Sequence, residues 1–253
     1  LIYHAFDITK TGGGENWFTD EANYSRSEST LIDVTESGLI TPKSGLGGYA
    51  VVWVIPADNI KSETINYDQI TKKRVILVRV ADGSVENPYE IESYVDLLNI
   101  SQAMDKAYVL AQSIDLSAID NFTPIGSVEN PFTGSLSGKY IINDGKTIIN
   151  GINNLKFNIK GAADGYYGLF ACLGTKDKGV LEGATIKDLT ISVTASNFDA
   201  SLGANEVSHL GFVAGVNYGT ISNVKVRFNG NLVVKATKND TQSTLGTALV
   251  GGI

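Results

Sequence analysis

Side-chain catalysis requires groups that trade protons, attack carbon or hold a metal, and this 253-residue sequence supplies few of them close together. Its two histidines, His4 and His209, lie near opposite ends of the chain. A zinc protease needs two histidines one helical turn apart with a glutamate between, and a histidine-based triad needs a neighbouring nucleophile. Neither pattern is present, so each histidine reads as structural. The single cysteine, Cys172, sits in an apolar stretch and reads as a small buried hydrophobe; alone, it also excludes an intrachain disulfide framework. Asp115, Asp120, Asp144, Asp164, Asp177, Glu182 and Asp188 are scattered through turn-like segments. Glycoside hydrolysis would need two carboxylates facing across a groove, and lyase chemistry a base with cationic or metal help. The sequence therefore predicts no enzyme, no catalytic residue, no metal and no cofactor. Asn143-Asp144-Gly145 and Ala81-Asp82-Gly83 are oxygen-rich, but neither continues into the ligand series of a calcium loop, and both read as ordinary turns.

Exposed aromatics are the remaining candidates for a site. Tyr166, Tyr167 and Tyr218 fall beside glycine-rich corners, where they would either stack on sugars or pack between neighbouring turns of chain. The sequence leaves both readings open.

The elements that would carry these tyrosines are repetitive. Gly168-Leu169-Phe170-Ala171 returns as Gly211-Phe212-Val213-Ala214-Gly215 and again as Ala248-Leu249-Val250-Gly251-Gly252. A second half-motif follows the first two copies: Ala184-Thr185-Ile186-Lys187-Asp188-Leu189-Thr190-Ile191, then Gly219-Thr220-Ile221-Ser222-Asn223-Val224-Lys225-Val226. The spacings, about 43 and 37 residues for the first halves and about 35 for the second, are those of stacked repeat units. Aligning the copies places Asn223 where the earlier unit has Asp188, which fits a turn or a ladder of stacked side chains better than catalysis. It also places Gly215 where the earlier unit has Cys172.

Ahead of the repeats, the first eighty-odd residues read as strands. Leu1 to Thr9, Ser29 to Val34, Tyr49 to Ile55 and Lys73 to Val80 are apolar or alternating runs separated by glycine-rich or polar segments, among them Gly12-Gly13-Gly14. The simplest assembly is an antiparallel β-sandwich over 1–86. Turn chemistry at Ala81 to Pro88 marks a boundary, and Ser93-Tyr94-Val95-Asp96 then opens a short helix with a capping arrangement. Val95, Leu97, Leu98, Ile100 and Met104 give that helix apolar faces suited to covering the end of a solenoid. Strands at Tyr140 to Asn143, Thr147 to Ile149 and Leu155 to Ile159 read as parts of early turns of the solenoid, which occupies 87–253. The hexapeptide Gly-Ser-Val-Glu-Asn-Pro occurs at 83–88 and 126–131 with unmatched flanks, which points to reuse of a good turn.

From Tyr89 onward the chain resembles bacterial surface proteins that carry the GLUG repeat. The likeness rests on Tyr89-Glu90-Ile91, Asp96-Leu97, Ile114-Asp115-Leu116, Pro124-Ile125-Gly126 and Phe132-Thr133-Gly134, in that order, ahead of the glycine-hydrophobic units. Phe122, Ser137, Ala171 and Ala214 depart from the pattern, where tryptophan, aspartate and glycine are usual, yet keep its steric logic. The resemblance implies a right-handed parallel β-helix on the outside of a cell, as in adhesin-like proteins and the non-catalytic region of some secreted immunoglobulin A proteases. The opening segment, with Trp53-Val54-Ile55-Pro56, faintly resembles fimbrillin-type surface modules.

The expected fold class is all-β: an N-terminal antiparallel β-sandwich, then a helix-capped right-handed parallel β-helix cut off before its C-terminal cap. With 20 basic against 27 acidic residues, and no dense basic run beyond Lys72-Lys73-Arg74, a nucleic-acid partner is not expected. That triplet reads as a solvated strand edge or turn. No apolar run is long enough to span a membrane. The expected function is a non-enzymatic, adhesin-like module, extracellular or on the outer cell surface, whose partner is a glycan or a protein on a host or neighbouring cell. The competing expectations are a polysaccharide lyase or glycoside hydrolase on the same scaffold, and an accessory domain of a secreted protease.

Overall fold

β-branched and aromatic runs become strands almost throughout, and the chain is all-β apart from one short α-helix and a few 3-10 turns among the described residues. The computed structural model describes residues 1–9, 17–25, 27–43, 45–57, 70–141, 146–162, 165–177, 180–202, 207–238 and 247–251. Gly12-Gly13-Gly14, Asn143-Asp144-Gly145, Asp164 and Gly252 lie outside the described residues. The chain divides into two compact units. The first contains Leu1–Tyr89 and the second comprises Glu90–Ile141 and Thr147–Ile253, so the division falls just after the expected boundary at residue 86.

In the first unit, β1 (Ile2–Ile8), β4 (Gly48–Ile55) and β5 (Arg74–Val80) form an antiparallel sheet with β4 in the centre. β2 (Ile32–Val34) and β3 (Ile40–Pro42) pair separately as a two-stranded ribbon. Because side chains alternate along a strand, β4 buries both of its faces. Val51, Trp53 and Ile55 join Phe6, Ile8, Tyr24 and Ile70 in one cluster, while Ala50 and Val52 join Leu31, Ile32 and Val80 in the other. Each of the large side chains fully removed from water contributes about 1.5–3 kcal/mol. Trp53 is the hub of the first cluster, edge-on to Phe6 at 5.0 Å and to Tyr24 at 5.8 Å. Lys73 does not behave as a solvated residue. Its ammonium lies 3.8 Å from the centre of the Trp53 ring and 2.6 Å from Glu21.

The second unit opens with β6 (Tyr89–Ile91) and α1 (Tyr94–Asn99). The expected capping box is present: Ser93 Oγ accepts from the Asp96 N–H at 3.2 Å, and Asp96 Oδ2 accepts from the Ser93 N–H at 2.9 Å. Leu97 and Ile100 are fully buried and Met104 nearly so, whereas Val95 and Leu98 face water. The outer edge of β7 (Ala107–Leu110) is paired by β6, not by the helix. After β8 (Ile114–Asp115) and β9 (Ser135–Ser137) come β10 (Lys139–Ile141) and β11 (Thr147–Ile149), then β12 (Gly151–Leu155) and β13 (Asn158–Ala162). Next are β14 (Gly165–Tyr167), β15 (Phe170–Leu173), β16 (Thr175–Asp177) and β17 (Val180–Glu182). The last five are β18 (Thr185–Leu202), β19 (Val207–Gly211), β20 (Ala214–Asn217), β21 (Thr220–Lys238) and β22 (Thr247–Gly251).

The organising element is β18. Along one edge it pairs in parallel with β9, β12 and β13 in succession, and along the other with β21 for its whole length. β7 adds to β9 and β8 to β12, also in parallel. Successive passes of the chain therefore lie one on another, and equivalent side chains form columns. Tyr108, Leu136, Ile186 and Ile221 make one; Ile114, Ile152, Ile191 and Val226 make a second. In each, all members but the last are buried. Two further parallel sets, β14-β19-β22 and β15-β20, stack the glycine-hydrophobic halves.

Two antiparallel hairpins interrupt this pattern. The segments at Tyr140 and Thr147, expected as strands of the stack, instead pair with each other as β10-β11. Ser137 and Gly151 are opposite Lys187 and Thr190, so residues 138–150 stand against only 188–189. The Asn150 N–H donates to Gly138 O at 2.8 Å and closes the base of the insertion, and its buried side chain donates to Leu110 O at 2.7 Å. β16-β17 is the second hairpin, inserted between Leu173 and Ala184, where the next pass needs only Tyr218 between Asn217 and Gly219.

Candidate functional site

The repeated glycines place the tyrosines. Gly168 and Gly215 sit where neighbouring passes touch: a Cβ on Gly168 would lie 2.5 Å from Gly211 O, and one on Gly215 would lie 2.7 Å from Tyr166 Cβ. That close approach lets β14 and β19 pair with Tyr166 opposite His209 and Tyr167 opposite Leu210. Adjacent residues on a strand point to opposite faces, and the two tyrosines part accordingly. Tyr167 packs edge-on against the fully buried Phe198, with ring centres 5.1 Å apart. Tyr166 stacks on His209 at 4.8 Å with ring planes only 18° apart, and both rings are half-buried.

The Tyr166–His209 pair is thus a two-ring stack across the β14-β19 ladder, with Leu249 following in register on β22. Its histidine member was assigned only a structural role from the sequence. Sequence reasoning missed the pair because 43 residues separate its members and nothing local marks His209 as outward-facing. Tyr218 lies elsewhere: half-buried, with its N–H donating to Leu173 O at 2.7 Å. The three tyrosines do not converge on one surface. Tyr166 stacks on His209, Tyr167 is a packing residue, and Tyr218 lies opposite the second insertion.

Of the carboxylates that might have carried acid–base chemistry, Asp115, Asp120 and Asp188 are engaged in structural contacts, while Asp144 and Asp164, and the side chains of Asp177 and Glu182, lie outside what is described. Asp188 accepts from Asn223 Nδ2 at 2.7 Å, and Asp115 accepts from Asn154 Nδ2 at 2.8 Å and from the Ser117 N–H at 2.9 Å. The Asn154 contact, then the Ser117 bonds, hold the Asp115 carboxyl below its ordinary range. Lys156, 2.9 Å away, does the same for Asp120. Among the described residues no three of His, Cys, Asp or Glu gather as a metal site would require. Cys172 is buried, with Sγ 3.5 Å from Gly174 O; burial foremost, then the charge of Glu129, pushes its thiol up and away from thiolate chemistry. It stands opposite Val216, not Gly215, because the offset between passes widens by one residue after Tyr167.

In the first unit an open cleft of about 570 Å³ is lined by Asp7, Thr9, Asn23, Ser25 and Tyr49, among others. Its one carboxylate is already committed. Asp7 accepts from Thr30 Oγ1 at 2.6 Å, from the Thr30 N–H at 2.9 Å and from Ser29 Oγ, fastening the 29–31 segment to β1. His4, also on β1, is pushed down in pKa by burial against the opposing pull of Glu28.

No family model matches the chain, and no solved structure matches it significantly. Halomucin of Haloquadratum walsbyi is 32% identical over 213 residues, covering 78% of this chain but 2% of that protein. A protein of Evansella cellulosilytica, whose name describes it as a Gly-rich membrane protein, is 30% identical over 155 residues, covering 57% of this chain and 15% of its own length. The chain therefore spans a small part of each of these curated relatives. Among the described residues no helix is long and apolar enough to cross a membrane.

Proposed function

We propose that the chain is a non-enzymatic, adhesin-like module of a cell surface, whose second unit is a right-handed parallel β-helix of the GLUG type that displays a binding face on a stiff stack. The observation that carries this reading is the β18-β21 ladder. From Thr185 opposite Thr220 to Thr194 opposite Asn229, each pair is offset by 35 residues. A constant offset gives stacked passes about 4.8 Å apart and long flat faces, the geometry of a spacer and of a multivalent contact surface. The relative named as a membrane protein supports a place at the cell surface. Engagement of Asp115, Asp120 and Asp188 in structural contacts supports binding without turnover.

The binding element of this reading is the Tyr166–His209 pair, a half-buried stack of two parallel rings whose exposed part can pack against the apolar face of a sugar. A glycan array with the intact chain should give hits that Tyr166→Ala and His209→Ala each weaken while Tyr218→Ala does not. Incubation of those hits with the protein should leave them unchanged. New reducing ends or unsaturated products would overturn the non-enzymatic reading, and hits insensitive to both Tyr166 and His209 would remove this pair from it.

A further inference from the structure

One face of α1 is apolar and open to water. Leu97 and the following Ile100 turn inward and are fully buried, whereas Tyr94, Val95 and Leu98 are 44%, 48% and 37% exposed. At 3.6 residues per turn, Leu98, Val95 and Asn99 fall within about 100° of one another around the helix. Helical side chains also lean toward the N-terminus, so that of Asn99 leans back over the turn carrying Val95. An exposed amide therefore stands at the margin of an exposed apolar patch.

That amide opens a tripeptide with a specific chemistry. Asn99-Ile100-Ser101 has the Asn-X-Ser/Thr form, with X other than proline, of an acceptor for asparagine-linked sugar. Asn99 and Ser101 are exposed, and Ile100 anchors the tripeptide between them. The same form recurs at Asn23-Tyr24-Ser25, at Asn121-Phe122-Thr123 and at Asn239-Asp240-Thr241, the last outside the described residues. Asn23 is half-buried, and Asn121 Oδ1 accepts from the Asn158 N–H at 3.0 Å beside the Asp120–Lys156 ion pair. Asn99 is distinguished by the exposed valine and leucine next to it. We infer that Asn99 is a glycosylation site and that the first sugars of its oligosaccharide lie with their apolar faces over Val95 and Leu98. Transfer joins Asn99 Nδ2 to the anomeric carbon of a lipid diphosphate-linked oligosaccharide. The bond from that carbon to the diphosphate oxygen breaks, the lipid diphosphate leaves with the electron pair, and Nδ2 gives up one proton. In the folded helix Ser101 Oγ donates to Leu98 O at 2.9 Å, so transfer falls before α1 closes. The donor and its transferase belong to the export route, so this inference rests on the cell-surface reading and is independent of the Tyr166–His209 pair.

The test combines cell fractionation with glycopeptide mass mapping of the intact chain isolated from the cells that make it. Peptides spanning Asn99 should carry an oligosaccharide mass localised to that residue. Ser101→Ala, made in the same cells, should lose that mass and Ser101→Thr should keep it, because the hydroxyl completes the acceptor. Binding of the apolar dye ANS should rise in Ser101→Ala and fall back when Val95→Ser and Leu98→Ser are added, with circular dichroism to check that each variant folds. Exported chain with a bare Asn99 would overturn the inference and leave the cell-surface reading standing. Chain retained in the cytoplasm would overturn both. Loss of the sugar without a gain in dye binding would overturn the cover over Val95 and Leu98.

Discussion

Asn223 Nδ2 donates to Asp188 Oδ1 at 2.7 Å, and both residues hold a left-handed backbone, with φ of 51° and 53°. β18 and β21 each bend at this point, and only glycine, asparagine and aspartate adopt that conformation at low cost. A side-chain bond between equivalent turns ties one pass to the next and gives an otherwise exposed corner a fixed register.

Two separable costs follow for substitutions at Asn223. Asn223→Gly removes the bond but keeps the backbone, and should destabilise the second unit by about 1 kcal/mol in urea unfolding. Asn223→Ala also forces alanine into the left-handed region and should cost about 1–2 kcal/mol more. Asn223→Asp places a carboxylate against Asp188, and its penalty should shrink as salt is added. Equal losses for glycine and alanine would mean that the backbone conformation carries no energy here.

The glycines of the repeat make a second prediction. A methyl at Gly168 would meet Gly211 O at 2.5 Å and one at Gly215 would meet the Tyr167 N at 2.7 Å, and backbone atoms in a stacked ladder cannot step aside. Gly168→Ala and Gly215→Ala should each cost about 3 kcal/mol or be recovered unfolded. Gly45→Ala in the first unit, with nothing within 4 Å but a φ of 83°, should cost only about 1 kcal/mol. Thermal melts of the three variants would rank them.

The sequence made the parallel pairing of the repeats easy to read and the insertions hard. The 35-residue recurrence of Thr185 to Val193 predicted the ladder because each pass must repeat its neighbour's alternation to keep the columns apolar. The Ser93–Asp96 box was equally local and equally legible. The segments 139–141 and 147–149 misled because Tyr140-Ile141 and Ile148-Ile149 are short runs of strand-forming residues like those of the ladder; pairing with each other or with the ladder is a tertiary choice that local composition does not record. The repeated Ser-Val-Glu-Asn turns were legible as turns: Asn87 and Asn130 each donate their N–H to the serine three residues earlier, after glycines with φ of 74° and 78°. The site was least legible. Tyr166 and Tyr167 look alike in sequence, and only the strand's pleat sends one to Phe198 and the other to His209.

Acid should weaken the first unit through Asp7. Burial alone would raise this carboxyl, but hydrogen bonds from Ser29, Thr30 and Leu31 outweigh it and hold the group below its ordinary value. A depressed carboxyl contributes stability that is fully present above its unfolded value, near about 4, and is lost as pH falls through the folded value. Both tryptophans, Trp17 and Trp53, belong to the first unit, so their fluorescence reports it selectively. The urea midpoint by that signal should hold steady from neutral pH to about pH 5 and decline below about pH 4. Asp7→Asn should lower it by about 1–3 kcal/mol at neutral pH and flatten the acid limb. An acid limb unchanged in Asp7→Asn would assign it to other carboxylates.

Cys172 offers a probe of the stack itself. Burial, with Glu129 adding to it, raises its thiol, and Leu173 and Phe170 around it are fully buried. The thiolate is the reactive form, so iodoacetamide at pH 8 should label the native chain far more slowly than the chain in urea. Opening of the second unit must precede labelling, which makes the labelling rate a measure of that opening. Gly168→Ala, two positions from Phe170 and crowded against Gly211, should therefore speed labelling at Cys172, while Asp7→Asn in the first unit should leave it unchanged. Fast labelling of the unaltered chain would show that β15 and β20 separate readily and that the ladder around Cys172 is the weak point of the stack.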